Sequence, residues 1–376
     1  MNQFRFEILH TSSRSKARVG RIHTPHGHID TPNFVAVGTN GTLKALDNQT
    51  VTEIGLQLMF CNTYHLLLQP GTKVVKEAGG LHQFIHRQMP IITDSGGFQV
   101  FSLAYGSVAD ELKSRGTKKH QNSVVKISEE GVLFRSYIDG AKVLLTPESS
   151  IFAQKDLGAD IIIPFDELPP YHISPERLKE SFDRTHRWQK RSLTAHLAQK
   201  QDQAMFAVIH GGIDWELRRT SCEILRNEAF DGFAIGGSLG KNRQEMLQLL
   251  ANTVPHLPEP LPRHLLGIGD LGSLEDSIPF GLDTFDSSYP TRLARHGVAL
   301  SAAGPVNLTK GENKASFLPI CKECICPTCR RFSRAYMHHL FKAKEITALQ
   351  LATIHNLHFM VQKMAALRED ILHDKI

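Results

Sequence analysis

Residues 204–238, AMFAVIHGGIDWELRRTSCEILRNEAFDGFAIGGS, contain the pattern that decides the fold. Two short, almost continuous apolar runs flank a stretch with the mixed apolar and charged character of a helix. Such runs are typical of strands buried on both faces, and a helix is the usual connection between two parallel strands. The segment therefore predicts one strand–helix–strand unit of a parallel sheet.

The same pattern recurs through the 376-residue chain. Eight apolar runs, mostly separated by helix-like stretches, predict a closed (β/α)8 barrel. A doubly wound open sheet is the alternative, but no GxGxxG follows the first run to indicate a dinucleotide site. We expect a single barrel domain over residues 1–376. The runs are NFVAVG (33–38), LQLMFCN (56–62), MPIITDSGG (89–97), ADIIIPFDE (159–167), AMFAVIHGG (204–212), GFAIGGS (232–238), RHLLGIGD (263–270) and LDTFDSS (282–288).

Two segments depart from the barrel pattern. The N-terminal stretch 4–34 has the character of short strands, and the stretch from about 105 to 145 is first charged and then strand-like, with turns at EEG and DG. The second segment predicts a small antiparallel excursion from the barrel.

Polar residues and glycines follow the apolar runs directly. In barrel enzymes the active site forms at the carboxyl ends of the strands. Turn formation explains any single position equally well, but it explains the whole set poorly. The positions are Asn62, Asp94 to Gly97, Asp166 and Glu167, His210 to Gly212, Gly236 and Gly237, Gly267 to Asp270, and Asp286.

Composition indicates a soluble cytoplasmic protein. Hydrophobic residues make up 41% and charged residues 22% of the chain. No apolar run approaches the roughly 20 residues of a membrane helix, and the N-terminus lacks the apolar core of a signal peptide. The net charge of +5 permits a polyanionic partner without requiring one.

Four of the six cysteines fall within nine residues, Cys321 to Cys329, in the run CKECICPTC. In a cytosolic chain such crowding predicts a metal site, and zinc prefers tetrahedral thiolate and imidazole ligands. The run alone leaves two possibilities, because four cysteines or three cysteines and a histidine could complete the site. No HExxH motif accompanies the run, so we expect a structural zinc. The candidate histidines are His338, His339, His355 and His358.

A set of ordered motifs carries a family resemblance over essentially the whole chain. The motifs are IITDSGGFQVFSL, FDE followed by PPY, IGGS, LLGIG, FDSSYPTRLARHG, CxCxxC, AYMHHL and TIHNLHF. In this order they resemble the bacterial-type tRNA-guanine transglycosylases, also called queuine tRNA-ribosyltransferases. The resemblance implies a (β/α)8 barrel with a zinc-binding subdomain inserted near the C-terminus, here at residues 315–358.

The resemblance also implies the reaction and its partners. Family members exchange guanine at wobble position 34 of tRNAs with G-U-N anticodons (Asp, Asn, His, Tyr) for a free deazaguanine base, in queuosine biosynthesis. That base is queuine or its precursor 7-aminomethyl-7-deazaguanine. Family members tend to be homodimers, and we expect a homodimer here.

A covalent ribosyl-enzyme intermediate divides base exchange into two displacements that spare the ribose, and a carboxylate suits the cation-like transition state. The resemblance implies Asp286 as nucleophile, with Asp283 the local competitor, and Asp94 as proton acceptor and donor. It places Asp166 and the backbone of Gly237 against the purine, with Phe98 stacked on the base. The implied pocket comprises Ser95, Gly96, Gly97, Phe98, Gln99, Asp166, His210, Gly236 and Gly237.

RNA contacts and zinc ligands also follow from the resemblance. Arg292 and Arg295 match positions that grip the nucleotides flanking the wobble base. The zinc ligands implied are Cys324, Cys326, Cys329 and His355, which leaves Cys321 out. The complete RNA-contacting set implied is Gly267, Ile268, Gly269, Asp270, Leu271, Gly272, Ser273, Thr291, Arg292, Leu293, Ala294 and Arg295.

Three pocket positions depart from the usual bacterial pattern. Leu168 replaces a cysteine, His210 replaces a glutamine, and the loop 236–241 is one residue shorter and lacks a valine and a glutamate. A wider, less acidic pocket favours the bulky queuine over its cationic precursor.

Three alternative functions were weighed against this interpretation. An inactive RNA-binding partner subunit would lack a catalytic carboxylate, yet Asp94 and Asp286 are both present. An archaeal-type relative would carry an added C-terminal domain. A generic metabolite-binding barrel leaves the cysteine run and PTRLAR unexplained.

Overall fold

Eight parallel strands form a closed barrel in the computed structural model, which describes residues 4–105 and 124–376. The order around the barrel is β4-β5-β6-β10-β11-β12-β13-β14, and β14 pairs with β4 to close it. All eight predicted strands are confirmed. The strands are β1 (Arg5–Thr11), β2 (Arg18–Thr24), β3 (Gly27–Thr31), β4 (Asn33–Val37), β5 (Met59–Cys61), β6 (Ile91–Thr93), β7 (Val124–Ile127), β8 (Val132–Arg135), β9 (Lys142–Leu145), β10 (Ile161–Ile162), β11 (Ala204–Ile209), β12 (Gly232–Ile235), β13 (Arg263–Leu265), β14 (Thr284–Ser287), β15 (Val298–Ala299) and β16 (Val306–Asn307).

Helices connect most of the barrel strands, as the alternating pattern predicts. The helix after β11, for example, begins where the Asp214 side chain accepts the Leu217 N–H at 3.0 Å. The described helices are α1 (Asn48–Ile54), α2 (Thr63–Leu68), α3 (Thr72–Glu77), α4 (Leu81–Phe84), α5 (Gly97–Tyr105), α6 (Pro147–Leu157), α7 (Pro175–Ala198), α8 (Trp215–Leu225), α9 (Arg243–Thr253), α10 (Leu271–Ser277), α11 (Tyr289–Arg295), α12 (Pro327–Arg331), α13 (Arg334–Ala343) and α14 (Ile346–Leu372), with single 3-10 turns at Val254–His256, Ile278–Phe280 and Gly311–Asn313.

Strand alternation divides the core into two layers. Val35, Phe60 and Phe206 belong to one buried cluster inside the barrel, whereas Phe233 and Phe285 belong to the cluster between the strands and the surrounding helices. Since successive side chains of a strand point to opposite faces, the neighbours of an outward residue point inward. Inward positions at the carboxyl ends of the strands therefore converge on the mouth of the barrel.

Two three-stranded antiparallel sheets accompany the barrel, one in each of the segments that depart from its pattern. The strands β1, β2 and β3 form one sheet near the N-terminus, and β7, β8 and β9 form the other between β6 and β10. Residues 106–123 of the predicted excursion lie outside the described residues.

A buried carboxylate fastens the N-terminal sheet to the amino end of β10. Asp160 accepts the Ile91 N–H at 2.8 Å and contacts His26 Nδ1 at 2.8 Å and His82 Nε2 at 3.1 Å. The two imidazole rings are stacked, with centroids 3.5 Å apart and planes within 10°. His26 Nδ1 faces one oxygen of the carboxylate and His82 Nε2 faces the other, so the three side chains form a clasp between the β2–β3 turn and β10.

The C-terminal helix α14 joins the cysteine run to the barrel. Its Leu351 and Ala352 pack with Cys326 and Cys329, while Met360 and Met364 join the outer layer of the barrel core. The 315–358 bounds of the subdomain stay a prediction. Within the described ranges, no helix has both the length and the apolar character needed to cross a membrane.

Candidate active site

Asp94 lies at the carboxyl end of β6 and is almost fully buried. Its Oδ2 accepts the Asn62 Nδ2–H at 2.8 Å, and its Oδ1 accepts the Thr63 N–H at 2.8 Å. Burial raises the pKa of Asp94 to about 6, although hydrogen bonds from Asn62, Thr63, Gln99 and Gly96 act in the opposite direction. The group can therefore both donate and accept a proton near neutral pH.

Asp286 lies at the carboxyl end of β14 and is also buried. Its Oδ1 accepts the Gly267 N–H at 2.8 Å and contacts His264 Nε2 at 3.1 Å. Phe285 packs outward, so Asp286 points into the barrel mouth. Asp283 has a different role, because it is wholly buried in an ion pair with Arg18, whose nitrogen lies 2.6 Å from Oδ2.

Asp166 is bracketed by two predicted pocket residues. Ser95 Oγ donates to Asp166 Oδ1 at 3.0 Å, and His210 Nε2 lies 2.8 Å from Asp166 Oδ2. The His210 side chain is only 3% exposed, whereas that of Asp166 is 16% exposed. The carboxylate is therefore held from two sides while part of it stays open to a ligand.

Two glycines allow this close packing. A Cβ on Gly97 would lie 2.5 Å from the Asp166 carbonyl oxygen, so any side chain there would displace the pocket loop. Gly237 has φ +75°, a conformation that favours glycine, and its Cβ position lies 3.2 Å from His210 Nδ1. The structure thus brings five predicted pocket residues together: Ser95, Gly97, Asp166, His210 and Gly237.

The predicted metal ligands also converge. Ligand atoms of Cys324, Cys326, Cys329 and His355 all lie within 4.8 Å of one another. The three sulfurs are 3.7, 3.5 and 3.2 Å from His355 Nδ1. These residues form a potential metal-binding group, and Cys321 lies outside it.

Comparison with known proteins agrees with this geometry. The family model described as "Queuine tRNA-ribosyltransferase" matches residues 13–376. The chain belongs to the queuine tRNA-ribosyltransferase family. It is 69% identical over 376 residues to the queuine tRNA-ribosyltransferase of Protochlamydia amoebophila (strain UWE25), covering 100% of this chain and 97% of the relative. It is 54% identical over 373 residues to that of Chlamydia abortus (strain DSM 27085 / S26/3), covering 99% of each.

Family membership makes this chain an enzyme of that class, a glycosyltransferase, and confirms the predicted resemblance. The (β/α)8 barrel agrees with the fold that the resemblance implied. The roles of the individual site residues stay predictions.

The residues matched to RNA contacts differ in accessibility. Arg292 is exposed and Arg295 is half-buried at the end of α11, whereas Thr291 and Ala294 are buried. In the other segment, the Asp270 side chain accepts the Ser273 N–H at 3.0 Å and so caps α10. Arg292 is therefore the exposed cation of PTRLAR, whereas Nη1 of Arg295 is buried.

Sequence reasoning missed the residues that hold the catalytic candidates. Asn62 was noted only as a strand-end residue, and Thr63 and His264 were not singled out. Arg218 was also missed, because its helix has the appearance of a solvated charged face. Arg218 is in fact 1% exposed, and its guanidinium donates to the carbonyls of Gly212 and Gly236, among others. It thereby ties together the two loops that carry His210 and Gly237.

Proposed function

We propose that this enzyme exchanges guanine at wobble position 34 of tRNAs with G-U-N anticodons for a free deazaguanine base. The observation that carries the proposal is the pair of buried carboxylates, Asp94 and Asp286, at the mouth of the barrel. The two carboxylates have different surroundings. Burial raises the pKa of Asp94, which suits proton transfer, whereas the hydrogen bonds to Asp286 converge on its Oδ1, which suits a fixed nucleophile. Membership of the queuine tRNA-ribosyltransferase family supports the same reaction.

Asp286 is proposed as the nucleophile. Its carboxylate attacks C1′ of the ribose and the glycosidic bond breaks. The electron pair of the glycosidic bond leaves with guanine. The product is a ribosyl ester of Asp286 in which both phosphodiesters of the tRNA stay intact. Attack of the incoming base on C1′ then displaces the carboxylate and restores the enzyme.

Asp94 is proposed to move the proton that each half of the reaction requires. In its neutral form it donates a proton to the departing guanine, and as a carboxylate it accepts one from the incoming base. A pKa of about 6 allows both states to be populated near neutral pH. Burial, which raises this pKa, is thus part of the proposed chemistry.

Asp166 is proposed to read the purine edge. Ser95 and His210 fix its two oxygens, and the remaining lone pairs can accept the amino and ring N–H groups of guanine. A base without these donors would leave a partly buried carboxylate unpaired, which disfavours its binding. Phe98 is half exposed and can stack on the base, and the Gly237 N–H can meet the purine carbonyl.

Binding of the tRNA requires the wobble nucleotide to be flipped out of its stack. The exposed Arg292 and half-buried Arg295 supply positive charge on α11, the helix that follows the strand of Asp286. We assign to them the phosphates that flank the flipped nucleotide.

One structural zinc is part of the proposal. Tetrahedral zinc, with bonds of 2.3 Å to sulfur and about 2.0 Å to nitrogen, sets its sulfur and nitrogen ligands about 3.5 Å apart. The distances from His355 Nδ1 to the three sulfurs centre on this value. The other nitrogen of His355 contacts the Leu300 carbonyl at 2.8 Å, which orients the ring as a metal ligand requires. Bound zinc would supply a crosslink between the cysteine run and α14.

Queuine is proposed as the preferred incoming base. The shortened loop 236–241 is proposed to widen the pocket and to remove one carboxylate, and His210 takes the place of the usual glutamine. The nearby carboxylate of Glu245 does not replace the missing one, since its Oε2 accepts the Lys241 N–H at 2.6 Å. Competition between queuine and the aminomethyl precursor on unmodified tRNA tests this preference. Stronger incorporation of the precursor would contradict it.

A cytoplasmic homodimer is the proposed working form. Exposed apolar side chains cluster in sequence around the cysteine run, with Phe317 at 84%, Ile325 at 58% and Ile346 at 76% exposure. Light scattering on purified protein should give twice the mass of the 42.0 kDa chain. A monomer at micromolar concentration would refute the dimer without affecting the chemistry.

Incorporation of labelled guanine into unmodified tRNA tests the exchange itself. The wild-type enzyme should label a tRNA with a G-U-N anticodon, and Asp286→Ala should not. A tRNA in which another nucleotide occupies position 34 is the matched control and should remain unlabelled. Equal labelling of both tRNAs, or activity in Asp286→Ala, would overturn the proposal.

A further inference from the structure

A buried imidazole links the nucleophile to the neighbouring strand. His264 lies in β13 and is fully buried. Its Nδ1 lies 2.8 Å from Thr284 Oγ1, and its Nε2 lies 3.1 Å from Asp286 Oδ1. Both partners are on β14, two residues apart, and therefore on the same face of that strand. His264 pairs in register with Thr284, which places its ring between the two.

The two contacts define the protonation of the ring. An ionised Asp286 can only accept hydrogen bonds, so the proton must be on His264 Nε2. With a neutral ring the Nδ1 atom is then an acceptor, and the Thr284 hydroxyl donates to it. Phe60 covers the ring, with centroids 6.2 Å apart and planes at 20°. Strand pairing, the hydroxyl and this aromatic neighbour together fix the ring.

The same contacts distinguish the two oxygens of Asp286. Oδ1 accepts both the Gly267 N–H and the His264 Nε2–H, and neither of these two groups donates to Oδ2. Two hydrogen bonds occupy the lone pairs of Oδ1 and stop the carboxylate from rotating. Oδ2 is consequently the oxygen with a lone pair available for attack.

We propose that His264 is a positioning residue for the nucleophile, and that Oδ2 of Asp286 is the attacking oxygen. The inference rests on the proposed function. Oδ2 forms the bond to C1′ while the C1′–N9 bond breaks and guanine leaves with the electron pair and a proton from Asp94. Oδ1 becomes the carbonyl oxygen of the ester and keeps both donors. When the incoming base displaces Asp286, the negative charge returns to a carboxylate whose two donors are already in place.

Steady-state kinetics of two variants test the role of the Nε2–H. His264→Phe keeps a flat ring of similar size but removes the donor, and we expect kcat to fall about 10- to 100-fold while KM for tRNA stays within about twofold. His264→Gln retains an N–H near the same place and should recover most of that loss. His196→Phe is the matched control, because His196 is another buried histidine, on α7, and it should leave kcat unchanged.

Each rate is divided by the amount of enzyme that forms a covalent RNA adduct, so that unfolded protein does not contribute. Thr284→Val is a second variant in case His264→Phe does not fold, and it should lower kcat about 3- to 10-fold by freeing the ring. An unchanged kcat in His264→Phe or Thr284→Val, or an equal loss in the Phe and Gln variants, overturns the inference. Failure of the wild-type enzyme to form any adduct would instead refute the proposed function.

Discussion

Replacement of Asp94 by asparagine should make the protein more stable and much less active. Burial raises the pKa of this carboxyl from its ordinary value of 3.8 to about 6. Holding the ionised form in the folded state at pH 8 therefore costs about 3 kcal/mol. A neutral amide of the same shape avoids that cost but offers one acceptor oxygen instead of two. We expect Asp94→Asn to raise the free energy of unfolding by about 1–3 kcal/mol.

The pH dependence of this gain follows from the direction of the pKa change. The unfolded carboxyl titrates near 4, so between pH 6 and pH 4 the folded wild-type protein binds a proton that the unfolded chain does not. The contribution of Asp94 to the free energy of unfolding of the wild-type protein therefore rises as the pH falls through 6. The advantage of Asp94→Asn should be full at pH 8 and should disappear by about pH 4.

Urea unfolding at pH 8 and pH 5 measures this difference, and guanine exchange measures the cost to function. The variant should lose about 10²- to 10⁴-fold in exchange rate, the usual contribution of a general acid/base group. Binding of tRNA, measured by filter retention, should persist because the RNA contacts are untouched.

Asp283→Asn is the matched control, since Asp283 is equally buried but is paired with Arg18. Its replacement leaves a buried guanidinium without its counter-ion and should cost about 3–5 kcal/mol. If Asp94→Asn destabilises the protein as Asp283→Asn does, Asp94 is an ordinary structural carboxylate whose pKa is not raised by burial.

Three further predictions concern residues away from the proton transfer. Cys326→Ser should abolish zinc binding, whereas Cys321→Ser should retain one zinc per chain by metal analysis; equal loss in both would refute the proposed ligand set. Arg218→Met should raise KM for the incoming base about tenfold and lower the free energy of unfolding by about 2–4 kcal/mol, because the pocket loops lose their shared donor. An unchanged KM would contradict this positioning role. Burial acts to raise the pKa of Asp160, but hydrogen bonds from two histidines lower it. The hydrogen bond with Asp160 in turn raises the pKa of His26. The clasp therefore stabilises the folded protein most between about pH 4 and 6.5. The urea midpoint of Asp160→Asn should differ more from that of the wild type at pH 5.5 than at pH 9. A constant difference would show that the ion pair contributes nothing.

The barrel could be predicted because its strands are buried on both faces. Continuous apolar runs such as AMFAVI and GFAI leave little ambiguity when helix-like stretches separate them. The strand ends then identify Asp94, Asp166 and Asp286 as neighbours at one mouth, without any knowledge of distances.

The supporting contacts could not be predicted, because they depend on pairing between distant strands. His264 has the appearance of an ordinary core residue until the register of β13 against β14 sets it beside Thr284 and Asp286. Arg218 lies in a helix rich in charged residues, and only the packing shows that its guanidinium reaches inward. Among the cysteines, spacing alone does not decide the place of Cys321, which lies outside the three-dimensional group of candidate ligands.

Mass spectrometry of the enzyme after incubation with unmodified tRNA, with no free base added, detects the proposed ribosyl ester itself. After nuclease and protease digestion, we expect a ribonucleotide mass on the peptide that contains Asp286, absent from Asp286→Ala and discharged by adding free base. Sustained base exchange with no adduct on that peptide would contradict a carboxylate-bound intermediate.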